Sequence, residues 1–409
     1  MARRLRQAAA GAPVPAHDSL VRMIRRWEAG DTGMTERYQF LYQRALGLRE
    51  PPAAAGEAAL AGDVLSADPG GDDKQVQRRE FVSVSAALAG ALAVPPQLAD
   101  LAAGRRIGAD MPAMLRQRLA RLRRLDDYLG GSETYGLYLS ELEATRTLAR
   151  EAACTGETRA ELAAVISEQG QQAGWAAFDA GWQATARMLY QDSLADARSA
   201  GSRPLEGNSL ALLAYQNLTT GEPAAGLAQA SCDAAGPSAP PRVRALLHER
   251  RAWAIAHSAP GEASAVRQAL GTAAAALGEP GAENEPDWAA WVNETEIEIM
   301  TGRCLTRIGQ PLSAIPVLHA ALRRFDDTHA RDKALYTSWL AEAYLDAGEI
   351  DSAAVTAGQV LSLSAGVASA RPAQRVREII QRLSSHSAAP AVADLLDRAA
   401  DATPTTWPG

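Results

Sequence analysis

Histidine and cysteine, the side chains that most often serve as bases, nucleophiles or metal ligands, are few and scattered in this chain of 409 residues. The histidines and cysteines are His17, His248, His257, His319, His329 and His386, and Cys154, Cys232 and Cys304. Their spacing fits neither a zinc-binding cluster nor a disulfide framework. The chain also lacks a nucleotide-binding glycine loop, an H-E-x-x-H pair and a G-x-S-x-G elbow. We therefore expect a binding protein rather than an enzyme, with no cofactor and no metal.

The N-terminal 50 residues are rich in arginine. The first 50 residues carry nine arginines against five acidic residues, a net charge of +4, whereas the whole chain carries −7 and the remainder therefore −11. A basic head on an acidic body predicts that a polyanion would be bound at the N-terminus. The arginines of the opening MARRLRQAAAGAPVP are not followed by an apolar run. We therefore expect no secretory signal and a cytoplasmic location.

The composition predicts an all-α fold. Hydrophobic residues make up 47% of the chain but aromatic residues only 5%, and alanine and leucine dominate the apolar set. Alanine and leucine favour helices, whereas strands are enriched in β-branched and aromatic side chains. No alternating apolar pattern typical of strands is evident, so close-packed helices are expected.

A glycine-centred pattern recurs five times in the C-terminal half. The turn glycines are Gly181, Gly221, Gly261, Gly309 and Gly348, at steps of 40, 40, 48 and 39 residues. The residues seven before and five after each glycine are small or β-branched, namely Gly174, Ala214, Ala254, Gly302 and Ala341 before, and Ala186, Gly226, Val266, Ala314 and Ala353 after. This predicts helical hairpins that pack closest where side chains are smallest. One hairpin cannot bury its own apolar face, so the hairpins must stack.

The repeated pattern resembles the tetratricopeptide repeat (TPR) family, which carries small residues at these positions and a larger one four residues beyond the second. Tyr190, Leu270 and Leu318 match the larger position, whereas Ala230 and Ala357 depart from it. The usual TPR period is about 34 residues, so these repeats must have longer helices or loops. The alternative is an alanine-rich helical bundle in which the glycines recur by chance.

The TPR resemblance implies a concave surface lined by the first helix of each pair. Its register places the following side chains there: Gln171, Trp175, Asn208, Tyr215, Arg251, Arg303 and Glu342. Aromatic, amide and charged groups together suit an extended peptide, whose backbone needs amide partners and whose side chains need pockets. The alternatives are that several of these residues pack between repeats, or that the groove serves dimerisation.

Two helices are predicted in the basic head, from Asp18 to Gly30 and from about Thr35 to Leu46. They resemble the later part of the Cro/repressor-type helix-turn-helix of the bacterial XRE class. The matching residues are Trp27, Glu28 and Gly30 in the first helix and Ala45, Leu46 and Gly47 in the second. The earlier helices of that domain are poorly represented, so the head is expected to be a partial helix-turn-helix domain.

The XRE resemblance implies that the first of these helices reads DNA. Arg22 and Arg25 would then reach base edges or phosphates in the major groove, and Ser19 and Arg26 would contact the DNA backbone. The alternative is that the arginines form the solvated face of a small helical cap.

The domain boundaries follow from these patterns. We expect a partial helix-turn-helix head at 1–50, a linker rich in Ala, Gly, Pro and Asp at 51–75, a helical connector or cap at 76–159, about five TPR-like helix pairs at 160–365, and capping helices with a tail at 366–409. The connector contains an amphipathic helix at 111–129 with a leucine stripe, whose arginines are expected to pair with acidic groups of the repeats.

The sequence thus predicts an all-α protein with a partial helix-turn-helix head followed by a TPR-like α-solenoid. The expected function is a cytoplasmic DNA-binding transcriptional regulator whose solenoid binds a peptide or protein and mediates homodimerisation, with no membrane association. The alternative is an interaction scaffold whose degenerate head does not bind DNA.

Overall fold

The structure, a computed structural model, describes residues 106–126, 131–281, 285–325, 330–364 and 369–402. The predicted head, the linker and the N-terminal part of the connector lie outside the described residues. Within the described ranges the chain forms fourteen α-helices and no β-strand, which confirms the all-α prediction. The helices are α1 Met111–Asp126, α2 Gly131–Glu151, α3 Gly156–Asp179, α4 Gln183–Ser199, α5 Arg203–Thr220, α6 Ala225–Ala235, α7 Pro241–Ser258, α8 Ala263–Leu277, α9 Glu294–Arg307, α10 Pro311–Leu322, α11 Ala330–Asp346, α12 Ile350–Ser364, α13 Ala370–Leu383 and α14 Pro390–Ala402.

Helices α3 to α12 form five consecutive antiparallel pairs, each made of a longer first helix and its successor. The second helix of each of the first four pairs packs against the first helix of the next pair. The first helices α3, α5, α7, α9 and α11 also contact one another in order, which makes them an inner row. This arrangement is the predicted solenoid-like fold.

The turns between paired helices explain four of the five recurring glycines. Gly181, Gly221, Gly309 and Gly348 have φ angles of 87°, 75°, 74° and 80°, in the left-handed region that residues with a Cβ adopt only at a cost. Gly261 lies outside that region, so its turn does not depend on glycine for backbone freedom.

Two of the small residues that precede the turns are glycine because a large side chain of the partner helix presses on them. A Cβ on Gly174 would lie 2.5 Å from the ring of Tyr190, and a Cβ on Gly302 would overlap Leu318. Tyr190 and Leu318 are the larger residues of the repeat pattern, and both are fully buried. In these pairs the glycine before the inter-helix turn therefore contacts the larger residue of the second helix. That larger residue lies one helical turn beyond the small residue that follows the inter-helix turn.

Helices α1 and α2 pack against α3 and cover the start of the solenoid. The leucine stripe of α1 is buried at Leu115, Leu119 and Leu122. The arginines between these leucines meet carboxylates: Arg116 Nη2 lies 2.6 Å from Glu161 Oε2, Arg118 Nε lies 2.6 Å from Glu141 Oε2, and Arg123 pairs with Glu168. The expected pairing with acidic groups of the repeats is confirmed for Arg116 and Arg123, whereas Arg118 pairs with Glu141 of α2, within the predicted connector.

Helix α13 follows the fifth pair and packs on both of its helices, with Val376, Ile379 and Leu383 buried. Its N-terminal end extends across the inner row to α3, where Ser369 Oγ donates a hydrogen bond of 2.8 Å to Asp179 Oδ1. The inner row is therefore curved enough for one helix to bridge its last and first members.

Among the helices of the described ranges, none is both long and apolar enough to cross a membrane.

Candidate functional site

The inner helices bring aromatic rings and guanidinium groups together where α13 crosses them. We call this set the aromatic–arginine cluster. Its members are Trp175 and Phe178 of α3, Tyr215 of α5, Arg250 and Trp253 of α7, Arg303 of α9, Trp339 of α11, and Arg371 and Arg375 of α13. The cluster occupies the concave side of the solenoid, which the sequence predicted as the binding surface.

The repeat register explains how three of these side chains reach the cluster. Trp175, Tyr215 and Arg303 each follow the small residue that lies closest to the partner helix, at Gly174, Ala214 and Gly302. The small residue faces the partner helix, so its successor, about 100° further round the helix, faces the concave side. Tyr215 and Arg303 are 7% and 4% exposed, which means that this surface is filled rather than open.

Each arginine of the cluster lies over at least one ring. The Arg250 guanidinium carbon lies 4.2 Å from the Tyr215 centroid, and that of Arg303 lies 4.4 Å from the Trp253 centroid. On α13, Arg371 lies 4.9 Å from the Trp175 centroid and Arg375 lies 3.5 Å from that of Trp339. Cation–π contacts of this kind strengthen when water is excluded, as it is here.

Tyr215 is the electrostatic centre of the cluster. Its hydroxyl accepts hydrogen bonds from Arg303 Nη2 at 3.0 Å and from Arg371 Nη2 at 3.3 Å. Burial alone would raise the pKa of Tyr215, but the positive charges of Arg303, Arg371 and Arg250 outweigh burial and lower this pKa to about 7. The phenol can therefore ionise near neutral pH, and its negative charge then offsets part of the positive charge of the neighbouring arginines.

Two carboxylates at the rim of the cluster hold the arginines of α13. Asp179, 1% exposed, lies at the end of α3 and has Oδ1 3.5 Å from Arg371 Nη1. Its other oxygen, Oδ2, accepts a hydrogen bond of 3.2 Å from the Gly131 backbone N–H. Glu342 of α11 pairs with Arg375 and also lies 3.5 Å from Arg382 Nη1. Each end of the bridge made by α13 is thus an ion pair.

The inner carboxyl groups, by contrast, give the arginines little compensation. Burial raises the pKa of Glu249, although its Oε1 lies 3.4 Å from Arg250 Nε, and it also raises the pKa of Glu296, which accepts hydrogen bonds from Tyr336. Burial thus favours the protonated form of both carboxyl groups. Within the described part of the chain, Arg250 Nη1 and Arg303 Nε have no hydrogen-bond partner. The two buried guanidinium groups at the centre of the cluster are thus incompletely hydrogen-bonded.

The structure separates the predicted binding residues into three groups. Trp175, Tyr215 and Arg303 belong to the cluster, and Glu342 lies at its rim. Gln171 and Asn208 instead bond to each other between α3 and α5, with Asn208 Nδ2 2.6 Å from Gln171 Oε1. The role of these residues in binding a partner stays a prediction.

Arg251 forms the third group, because its charge acts on Cys232 and His248 rather than on the cluster. The neighbouring Arg250, which was not among the predicted residues, lies over Tyr215. The sequence-based prediction also missed Trp253, Trp339 and the arginines of α13. The two tryptophans could have been found as large aromatic residues on the inner helices.

The remaining candidate residues and cavities do not extend this site. Ser19, Arg22, Arg25 and Arg26 lie outside the described residues. A cavity of about 580 Å³ lies between α11, α12 and α14, where Arg398 Nη2 donates a hydrogen bond of 3.0 Å to the Gly358 carbonyl. Buried charge and aromatic rings converge at the cluster and not at this cavity, so the cluster is the candidate site. In the described ranges no group of three or more His, Cys, Asp and Glu residues is placed to hold a metal ion.

No protein-family model matches the chain, and comparisons with curated proteins and with solved structures give no match. The resemblances to the TPR and XRE families therefore rest on the residues that carry them.

Proposed function

We propose that the chain is a transcriptional regulator whose solenoid binds a protein segment on its concave side and whose N-terminal helices bind DNA. The observation that carries the binding role is the aromatic–arginine cluster, where rings and carboxylates of the inner helices already surround arginine side chains of α13. Surfaces of this kind recognise peptides through a few anchor side chains in desolvated positions.

The chemistry of the inner helices favours a cationic ligand. Without α13, these helices present the rings of Trp175 and Trp339 beside the carboxylates of Asp179 and Glu342. A ring face beside a carboxylate is a favourable site for a guanidinium group, which stacks and forms directed hydrogen bonds at once. A protein segment that carries arginines would therefore find partners at both ends of the surface.

The regulatory role rests on the basic head and on its resemblance to the XRE class. The protein would act in the cytoplasm as a homodimer with two DNA-binding heads. A ligand that binds one curvature of the solenoid better than another would shift the spacing of the two heads, and with it the affinity for DNA.

DNA binding is tested with the full chain by fluorescence anisotropy on DNA from its own upstream region and on random DNA, over a range of salt. We expect preference for the upstream DNA near physiological salt and its loss in Arg22→Ala/Arg25→Ala, because these arginines would contact the major groove. Arg37→Ala/Arg44→Ala, in the second predicted helix, is the matched control. Weak binding to both DNAs that disappears equally with salt would refute the DNA-binding role.

Ligand binding is tested by probing the full chain with an array of short synthetic peptides, some rich in arginine and some rich in glutamate. We expect the arginine-rich peptides to bind more tightly than the glutamate-rich peptides. Glu342→Gln should weaken the binding of the arginine-rich peptides, because the substitution removes a negative charge at the rim. Gln268→Ala, on the exposed side of α8, should bind as the unchanged protein does. A preference for glutamate-rich peptides would contradict the proposal.

The second candidate is an interaction scaffold whose head does not bind DNA. The observation that favours it is that the cluster is built entirely from α3 to α13, so ligand binding needs no DNA-binding head. This candidate predicts that Arg22→Ala/Arg25→Ala retains every protein partner and every phenotype in the cell.

A further inference from the structure

Helix α13 has two different faces. Arg371, Arg375 and Arg382 lie at spacings of four and seven residues, which places them on one stripe of the helix. Val376, Ile379 and Leu383 form a neighbouring stripe that is buried against the fifth helix pair. The apolar stripe packs α13 against α11 and α12, and the arginine stripe makes its contacts along the concave surface.

The arginine stripe follows the concave surface from its last inner helix to its first. Arg382 pairs with Asp346, and Arg375 pairs with Glu342 and lies over Trp339. Arg371 then reaches α3 and α5, where it contacts Asp179 and donates to the Tyr215 hydroxyl. The stripe therefore meets a carboxylate at each step.

These contacts are those of a ligand in a binding surface. Arg371 and Arg375 are mostly buried, with 18% and 17% of their side chains exposed, and each lies over an indole ring and beside a carboxylate. Burying an ion pair contributes little net stability, because desolvation offsets the attraction. What such a pair provides is selectivity, since removal of either charge leaves the other unpaired.

We propose that α13 is an internal ligand of the concave surface, and that the external partner is a helix presenting two arginines four residues apart, which competes with α13. The inference rests on the proposed binding function of the solenoid. The partner's arginines would take the places of Arg371 and Arg375, beside Asp179 and Glu342, so binding of the partner and docking of α13 exclude each other.

The charge pattern distinguishes this occupant from an acidic one. Asp179 and Glu342 stand at the two places where α13 enters the surface, and an acidic helix would bring like charges to both. An arginine-bearing helix reproduces the two observed ion pairs and both ring contacts without rearranging the inner helices.

The test uses the full chain and a labelled synthetic peptide with the sequence of residues 369–386. Binding of this peptide is measured by fluorescence anisotropy on the unchanged protein, on Arg371→Ala/Arg375→Ala, and on Arg377→Ala. Arg377 is exposed on the same helix and donates to the Ala373 carbonyl of its own turn, so it is the matched control. Circular dichroism establishes that each variant is folded.

We expect the peptide to bind Arg371→Ala/Arg375→Ala at least tenfold more tightly than it binds the unchanged protein or Arg377→Ala, because the internal competitor has lost its anchors. A peptide with alanine in place of both arginines should not bind. Equal affinity for all three proteins, no binding to a folded double variant, or better binding of a peptide with glutamate at both positions would overturn the inference.

If the double alanine variant does not fold, Arg371→Lys/Arg375→Lys takes its place, since lysine keeps the charge but lacks the planar group that stacks and forms paired hydrogen bonds. It should bind the peptide more tightly than the unchanged protein does. Affinity equal to that of the unchanged protein would again contradict the inference.

A parallel array of arginine-rich peptides separates this inference from the proposed function. If array peptides bind the unchanged protein and the double variant equally, the solenoid binds ligands but α13 is not their competitor. If no array peptide binds either protein while the α13 peptide binds the double variant, the internal contact stands and the proposed function fails.

Discussion

Two polar clusters lie on neighbouring turns of the same inner helices, and they are built in opposite ways. The neutral network between α3, α4 and α5 consists of Ser167, Gln171, Ser193, Asn208 and Ser209. Gln171 Nε2 donates to Ser209 Oγ at 2.8 Å and to the Leu205 carbonyl at 2.9 Å, while Gln171 Oε1 accepts from Asn208. Every polar group of the Gln171 side chain therefore has a partner.

The aromatic–arginine cluster, one turn further along α3, is charged and incompletely compensated. Within the described residues Arg250 Nη1 and Arg303 Nε lack hydrogen-bond partners, and Glu249 is held by a 3.4 Å ion-pair contact of its Oε1 with Arg250 Nε. A closed neutral network fixes how two repeats pack, whereas buried charges without full compensation contribute little to stability. The comparison teaches that the two clusters differ in what they contribute to stability: the first joins neighbouring repeats, whereas the second, the candidate site, adds little.

The largest expected effect is on the neutral network. Gln171→Ala should lower the free energy of unfolding by about 3 kcal/mol, because it leaves a cavity and removes one hydrogen-bond partner each from Ser209 and Asn208. Urea denaturation followed by circular dichroism measures the loss. Gln268→Ala, on the exposed side of α8, should change stability by less than about 0.5 kcal/mol. A small effect of Gln171→Ala would show that the network is not what joins the repeats.

The next effect is on the ionisation of Tyr215. Its pKa in the folded protein, about 7, is below its ordinary value of 10, so the unfolded chain binds the phenolic proton over this range and the stability due to Tyr215 rises with pH. Ultraviolet difference spectroscopy should detect one tyrosinate transition near neutral pH, and Tyr215→Phe should remove it. Arg303→Met should raise the pKa by about one unit or more, since it removes the nearest positive charge. A first transition only at alkaline pH would contradict the lowering of the Tyr215 pKa by the neighbouring arginines.

Asn208 should show a smaller effect than Gln171, because it contributes one hydrogen bond from a partly buried position. Asn208→Ala should lower the free energy of unfolding by about 1 kcal/mol. In the Gln171→Ala background the same substitution should cost less, because its partner is already absent. Additive losses in the double variant would argue that the two residues act independently.

The smallest stability effect is expected for Arg303, although it is 4% exposed. Arg303→Met should change the free energy of unfolding by less than about 1 kcal/mol, because methionine keeps much of the volume while Tyr215 and Glu249 can both become neutral. The same urea denaturation experiment at neutral pH measures this change and compares it with that of Gln171→Ala. A loss as large as that of Gln171→Ala would remove the distinction between the two clusters.

Much of the fold could be predicted from the sequence, because it depends on local spacing. The glycine steps gave the hairpins, and the register after each small residue placed Trp175, Tyr215 and Arg303 on the concave side. The pattern did not identify Arg250 of α7, the neighbour of the predicted Arg251, which lies over Tyr215. Adjacent residues lie 100° apart on a helix, so the choice depends on how α7 is rotated against α5 and α9. No local pattern fixes that rotation.

The position of α13 could not be predicted for a different reason. The pattern predicted capping helices at the C-terminus, but the contact between Arg371 and Asp179 depends on the curvature accumulated over five pairs. Small rotations between repeats determine that curvature, and each arises from side-chain packing at an interface. The arginines of α13 consequently escaped the sequence-based prediction of the site.

The contact between α13 and α3 also has a consequence for how the protein is made. A solenoid can fold pair by pair as it leaves the ribosome, because each repeat contacts only its neighbours. Asp179 and Arg371, however, are separated by 192 residues. At ordinary rates of synthesis, Asp179 precedes its arginine by roughly 10 to 40 s. The nascent chain therefore exposes an unoccupied concave surface before α13 is made, and α13 can dock only after all five helix pairs have been synthesised.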